Sequence, residues 1–119
     1  MKVLIVEDEL LIAKVYTMHL KKKGHDVLGV CTNPIDAEKI LSQHTPDIIL
    51  MDVQLKGGAD GISFARKVRE SMHVPILFTT GNSYTKTMEI ISDIPHSDVM
   101  TKPVEIELLV RRMHAMTGQ

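Results

Sequence analysis

Apolar residues in this chain gather into short runs, most of them closed by a polar residue. Val3-Leu4-Ile5-Val6 leads into Glu7-Asp8, and Ile48-Ile49-Leu50-Met51 into Asp52. Ile76-Leu77-Phe78 leads into Thr79-Thr80-Gly81, and Val99-Met100-Thr101 into Lys102-Pro103. Short continuous runs of this kind read as strands buried on both faces. The pattern predicts strands over residues 2–6, 26–30, 47–51, 75–80 and 98–101. Between them apolar positions recur at helical spacing and predict helices over 9–23, 34–43, 62–71, 84–91 and 105–116. In the first helix Leu11, Val15 and Met18 share one face at i, i+4 and i+7, the expected apolar side. The second is expected to bury Ala37, Ile40 and Leu41, the third Ile62, Ala65, Val68 and Met72, and the last Ile106, Leu109, Val110 and Met113. Residues 84–91 carry the weakest pattern.

The punctuation agrees with these elements. Lys21-Lys22-Lys23 sits where cations favour a helix C-terminus, and Gly24 is a natural terminator. Asn33 is a candidate N-cap with Pro34 at the first helical position. Strands alternating with helices imply an α/β fold: a parallel sheet with helices on both faces. Right-handed crossovers restrict its topology, and five strands favour the order 2-1-3-4-5, doubly wound and flavodoxin-like, with five helices. Its switch point falls between the first and third strands. The 119 residues make one domain, 1–119, with no repeat, linker or output domain in the chain.

Composition narrows the function classes. The hydrophobic fraction is 44% and the charged fraction 24%, ordinary for a globular protein, while aromatics at 3% leave the core to Ile, Val, Leu and Met. A net charge of −1 gives no electrostatic reason to expect direct nucleic-acid or membrane binding. No run approaches the ~20 apolar residues of a membrane span. The first run is too short for a signal peptide, which makes the cytoplasm the expected compartment. Cys31, the single cysteine, reads as a small apolar strand residue.

The chemistry lies at the strand ends. In an open α/β sheet, ligands bind outside the carboxyl ends of the strands. Asp8, Asp52, Thr80 and Lys102 should therefore converge on one edge, with Asp8 and Asp52 flanking the switch point. Two carboxylates, a hydroxyl and an ammonium suit a hard cation plus a phosphoryl group.

With these residues in view, the whole chain resembles a response-regulator receiver domain of two-component signalling. The resemblance rests on Glu7-Asp8, Asp52, Asp60-Gly61, Thr80-Gly81 and Lys102-Pro103, in order and at the matching strand ends. It implies that Asp52 is the phosphoacceptor and that Mg²⁺ is held by Asp8, Asp52 and the backbone carbonyl of Gln54, with Glu7 in the acidic pocket. It implies that Lys102 pairs with Asp52 and then with the phosphoryl group, and that Thr80 donates its hydroxyl to a phosphoryl oxygen. Gly81 would leave room for backbone approach near the phosphate. The implied partners are a histidine kinase or phosphotransfer protein and a downstream effector or output domain. The surface that changes would be helix four, strand five and helix five, and it is compatible with a phosphorylation-dependent dimer. The protein would be a switch with self-catalysed phosphotransfer and dephosphorylation, not an enzyme.

Two positions depart from the family pattern. Where the family commonly has an aromatic residue on the last strand, this chain has Val99, with Tyr84 either a substitute or a solvent-facing side chain. The loop after Asp52 carries Lys56-Gly57-Gly58 and is one residue longer, in place of a common proline. Gln54 and Asn82 flank the pocket. His19, His25, His44, His73, His96 and His114 have no paired metal spacing and read as surface or loop residues. Met18, Met72, Met113 and Met116 read as core or partial core. A phosphatase with an aspartyl nucleophile would place that residue after the first strand and need room for a cap. A nucleotide binder would need a Gly-rich first turn, where this chain has Glu7-Asp8-Glu9. A receiver-like binding module acting without phosphorylation is the alternative.

Overall fold

A computed structural model describes residues 1–119, apart from the side chain of Lys56. The strands are β1 (Lys2–Val6), β2 (Asp26–Cys31), β3 (Ile48–Asp52), β4 (Ile76–Thr80) and β5 (Ser97–Thr101). The helices are α1 (Leu10–Lys22), α2 (Pro34–Leu41), α3 (Gly61–Arg69), α4 (Tyr84–Ile91) and α5 (Ile106–Thr117). All pairings are parallel, in the order β2-β1-β3-β4-β5. A single 3₁₀ turn at Lys56–Gly58 is an element that the apolar pattern does not announce.

Strand periodicity divides the core into two layers. Val3 and Ile5 of β1 and Ile48 and Leu50 of β3 pack with Ala13, Tyr16 and Leu20 of α1 and Leu109, Val110 and Met113 of α5. Their neighbours Leu4, Val6, Ile49 and Met51 pack on the other face with Ala37 of α2, Ile62, Ala65 and Val68 of α3, and Ile91 of α4. Successive strand side chains point to opposite faces, so a run buried on both sides must be apolar throughout. Val99 lies in the second layer, fully buried.

Local chemistry sets the helix ends. The Asn33 side chain accepts from the Asp36 amide with Pro34 at the first helical position, Asp60 accepts from the Ile62 amide, and Ser83 accepts from the Lys86 amide. Each satisfies an amide that the helix itself leaves without a partner. Gly24 after α1 has φ +87°, a conformation glycine adopts without steric cost.

One helix differs from expectation. The buried residues of α1 are Ala13, Tyr16 and Leu20, whereas Leu11 is 79% exposed, and Val15 and Met18 also face solvent. Both stripes have helical spacing, and Tyr16 carries a polar tip that disguises its apolar body. Met18 is accordingly not a core residue, whereas Met113 is, and Met72 and Met116 pack partly against the core.

Candidate functional site

The strand register assembles the site. Val6 pairs with Met51, so Glu7 and Asp52 follow on adjacent strands. Asp52 pairs with Thr79, and Thr80 with Thr101, which brings Lys102 to the same edge. Backbone bonds extend these junctions: Val53 N donates to Thr79 O at 3.0 Å, and Lys102 N to Thr80 O at 2.7 Å. Asp8, Asp52, Gln54, Thr80, Gly81 and Lys102 line one cavity of about 380 Å³.

Lys102 crosses the site. Its Nζ lies 2.9 Å from Asp52 Oδ2 and 3.3 Å from Glu7 Oε1. Both carboxylates are almost fully buried, at 5% and 2% exposure. Three carboxylate oxygens, one each from Glu7, Asp8 and Asp52, lie within 4.8 Å of one another. Glu7 Oε2 is buried without a hydrogen-bond partner. An orphaned buried carboxylate oxygen beside two further acids is an unsettled arrangement, and a hard cation settles it. The donor set therefore fits a divalent metal bound through oxygen.

The electrostatics point the same way. Burial is the main influence on Glu7, and the closeness and negative charge of Asp52 add to it, raising its pKa to about 8 despite Lys102. Glu7 thus takes up a proton readily when no cation shares the pocket. Burial by itself lowers the Lys102 pKa, but its hydrogen bond to Asp52 and the charges of Glu7 and Asp52 outweigh this and hold the group above its ordinary value. The Tyr16 hydroxyl is pushed up to about 12, chiefly by burial and then by the charge of Glu7. Tyr16 is a neighbour of the site that sequence reasoning missed, and no motif marks it.

The remaining residues are placed by backbone. The Gln54 amide donates to Asp52 Oδ1 at 3.2 Å, and the Asn82 amide to Thr80 Oγ1 at 3.1 Å. Gly61 N donates to Val53 O at 2.8 Å, which draws the start of α3 against the end of β3. A Cβ on Gly61 would run into the carbonyl oxygen of Asp52. At Gly81 a Cβ would meet nothing within 4 Å, so there is room for a side chain there. Tyr84 is half exposed on the first turn of α4. The peptide between Lys102 and Pro103 is cis.

The chain matches the family described as the response regulator receiver domain over residues 3–114. Solved structures agree. It is 32% identical to the signal receiver domain of a modulated diguanylate cyclase from Desulfovibrio desulfuricans, covering 98% of this chain and 93% of that one with a TM-score of 0.84. It is 25% identical to the BeF3-activated N-terminal receiver domain of Klebsiella pneumoniae RstA, covering 100% of both chains with a TM-score of 0.89. The receiver domain of the Francisella response regulator 1452 shares its fold, with 23% identity, 98% and 96% coverage and a TM-score of 0.88. The fold and the acidic strand-end site thus define a phosphorylation-type signalling module. The chain belongs to the response regulator receiver domain family. Its family carries a general role in two-component signalling, and among the described residues no helix is long and apolar enough to cross a membrane.

Proposed function

We propose that this protein is a phosphorylation-dependent switch that accepts a phosphoryl group on Asp52. The observation that carries the reading is the ion pair of Lys102 with Asp52 at the strand edge, beside a cluster of three acids of which Glu7 and Asp52 are buried. In the transfer an Asp52 carboxylate oxygen attacks phosphorus and the bond from phosphorus to the donor histidine nitrogen breaks. The products are an acyl phosphate on Asp52 and, once the leaving nitrogen's electron pair has taken up a proton from water, a neutral imidazole on the donor. Asp8, Asp52 and the Gln54 carbonyl, with Glu7 behind them, would hold Mg²⁺, which when bound neutralises charge on the phosphoryl oxygens. Lys102 offsets the charge of the acids before transfer and meets a phosphoryl oxygen after it. Thr80 Oγ1 accepts from the Asn82 amide, which leaves its own proton for a phosphoryl oxygen.

The donor is a histidine kinase or a phosphotransfer protein, met in the cytoplasm. Leu11 and Val15, exposed on α1, border a cavity of about 690 Å³ that also includes Lys102, Pro103 and Val104. This apolar surface adjoins the phosphoacceptor edge and suits a partner that must deliver a phosphohistidine there. The output is a change at α4, β5 and α5, read by a partner protein, an attached domain or a second copy.

The test is the intact mass after incubation with acetyl phosphate, with and without Mg²⁺, for the wild type and Asp52→Ala. A Mg²⁺-dependent gain of one phosphoryl group, absent in Asp52→Ala, is expected. No gain from acetyl phosphate or from a histidine-phosphorylated donor would replace this reading with a binding module that acts without phosphorylation.

A further inference from the structure

Helix α3 begins against the acidic site and ends against α4. Its first residue, Gly61, donates from its amide to Val53 O, and its last turn carries Arg66 and Arg69, which share one face. Arg66 reaches the far end of α4. Its Nε donates to Asp93 Oδ2 and its Nη2 to Asp93 Oδ1, both at 3.2 Å, and Nη2 also donates to the Ile90 carbonyl at 2.9 Å. Arg69 donates to the carbonyls of Met72 at 2.8 Å and His96 at 3.3 Å. The turn between α4 and β5 is thus gripped from α3 at Asp93 and at His96, with buried Ile94 between them.

Exposed ion pairs ordinarily hold little, but a two-pronged guanidinium–carboxylate pair is the stronger kind, and this one takes a helix carbonyl as well. Helix α4 has no basic residue in its own last turn and places Glu89 there, where the helix dipole favours a cation. Arg66 supplies that cation from outside. The start of α4 is held differently. Residues 82–86 are exposed, and the bonds there are neutral and local: Ser83 accepts from the Lys86 amide, and Thr87 Oγ1 donates to Ser83 O. At the other end Ile91 and Ile94 are packed into the core beside the Arg66 clamp.

We propose that Arg66 is the pivot pin of α4: it fastens the C-terminal end of the helix to α3, so that a pull from the Thr80 edge moves the N-terminal end most. The moved state rests on Asp52 as the acceptor, whereas the clamp itself does not.

The test is residue-resolved amide hydrogen exchange by nuclear magnetic resonance. It is run on the resting protein and with Mg²⁺ and acetyl phosphate held in excess, with intact mass read on the same samples. In the resting state Arg66→Gln and Asp93→Asn, which break the clamp from opposite sides at exposed positions, should each speed exchange at residues 91–94 severalfold. Lys67→Gln removes the neighbouring ion pair to Glu38 of α2 and should leave α4 unchanged. On phosphorylation the wild-type change should be largest at residues 82–87 and smallest at 90–94, and in Arg66→Gln it should extend to 90–94. Exchange at 91–94 that matches the wild type in both Arg66→Gln and Asp93→Asn, or that rises equally in Lys67→Gln, would overturn the pin. So would a wild-type response as large at 90–94 as at 82–87. A wild type that gains no phosphoryl group would count against Asp52 as the acceptor, and the resting variants would still decide the pin.

Discussion

Gly61→Ala tests the claim that α3 is seated directly against Asp52. A Cβ there would overlap the Asp52 carbonyl oxygen and stand 3.1 Å from both the Asp52 carbonyl carbon and Met51 Cγ. The first obstacle is backbone, so no rotamer change relieves it. Gly61 N is meanwhile bonded to Val53 O at 2.8 Å, which holds the two segments together. Either that bond breaks or the end of β3 retreats from its place between Glu7 and Thr80. Overpacking of this kind costs about 1–3 kcal/mol, and the upper end applies where backbone must move. A urea slope of about 1–3 kcal/mol per molar then lowers the unfolding midpoint by roughly 1 M. A displacement of the reacting group by about 1 Å can also cost about 100-fold in rate. The assay is urea unfolding followed by tryptophan-independent far-ultraviolet circular dichroism, paired with the rate of mass gain from acetyl phosphate. Gly81→Ala is the matched control at the same edge, where a Cβ meets nothing within 4 Å. It should unfold within about 0.5 kcal/mol of the wild type. If Gly61→Ala matched the wild type in both midpoint and rate, the steric reasoning would be wrong.

Three further outcomes follow from the same geometry. Glu7 titrates at about 8 in the folded protein against an ordinary 4.5, so the native state binds its proton more tightly than the unfolded chain does. That contribution is complete below the ordinary value and is lost as pH rises through about 8, at up to about 1.4 kcal/mol per pH unit. In chelator, the urea midpoint should therefore fall between pH 5 and pH 8, Glu7→Gln should flatten the fall, and added Mg²⁺ should restore stability at pH 8; parallel profiles for the two proteins would count against the acid cluster. Leu11→Ser and Val15→Ser, both at exposed positions, should change stability by less than about 0.5 kcal/mol. Their phosphorylation by acetyl phosphate should be normal while transfer from a histidine-phosphorylated donor slows, and equal slowing with both donors would remove α1 from the docking face. Thr80→Val should still gain a phosphoryl group but should lose the change in amide hydrogen exchange across α4, and an undiminished change would exclude Thr80 from the coupling.

Much of the fold was legible because its signals reinforce one another. Runs such as Ile48–Leu50 are buried on both faces, so they lack alternation and announce a parallel strand. Asn33, Pro34 and Gly24 mark element ends by chemistry that acts locally. The strand-end polar residues were legible as a set because parallel strands deliver all their carboxyl ends to one edge. What was hidden depends on which face meets what. Helix α1 offers two stripes of similar spacing, and the packing of Tyr16 and Leu20 against α5 decides between them. The meeting of His25 with His114 is a contact between a turn and a distant helix, which no local spacing records. The orphaned oxygen of Glu7 is likewise a property of the packed site.

The place of Val99 bears on how such a site can signal. A phosphoryl group shifts the surface only through contacts that differ between two states. Val99 is buried with Phe78 and Ile91 and has no polar tip to turn between inside and outside. The hydrogen bonds offer another route. Thr80 Oγ1 accepts from the Asn82 amide, and the next residue, Ser83, caps α4 by accepting from the Lys86 amide at 3.1 Å. Ser83 O in turn accepts from Thr87 Oγ1 at 3.0 Å. We infer that a pull on Thr80 reaches the first turn of α4 through this backbone segment, with half-exposed Tyr84 carried at its end. A change of this form needs no aromatic ring on β5. It would place the output signal in the position of α4 itself, where a partner would sense displacement of a helix end.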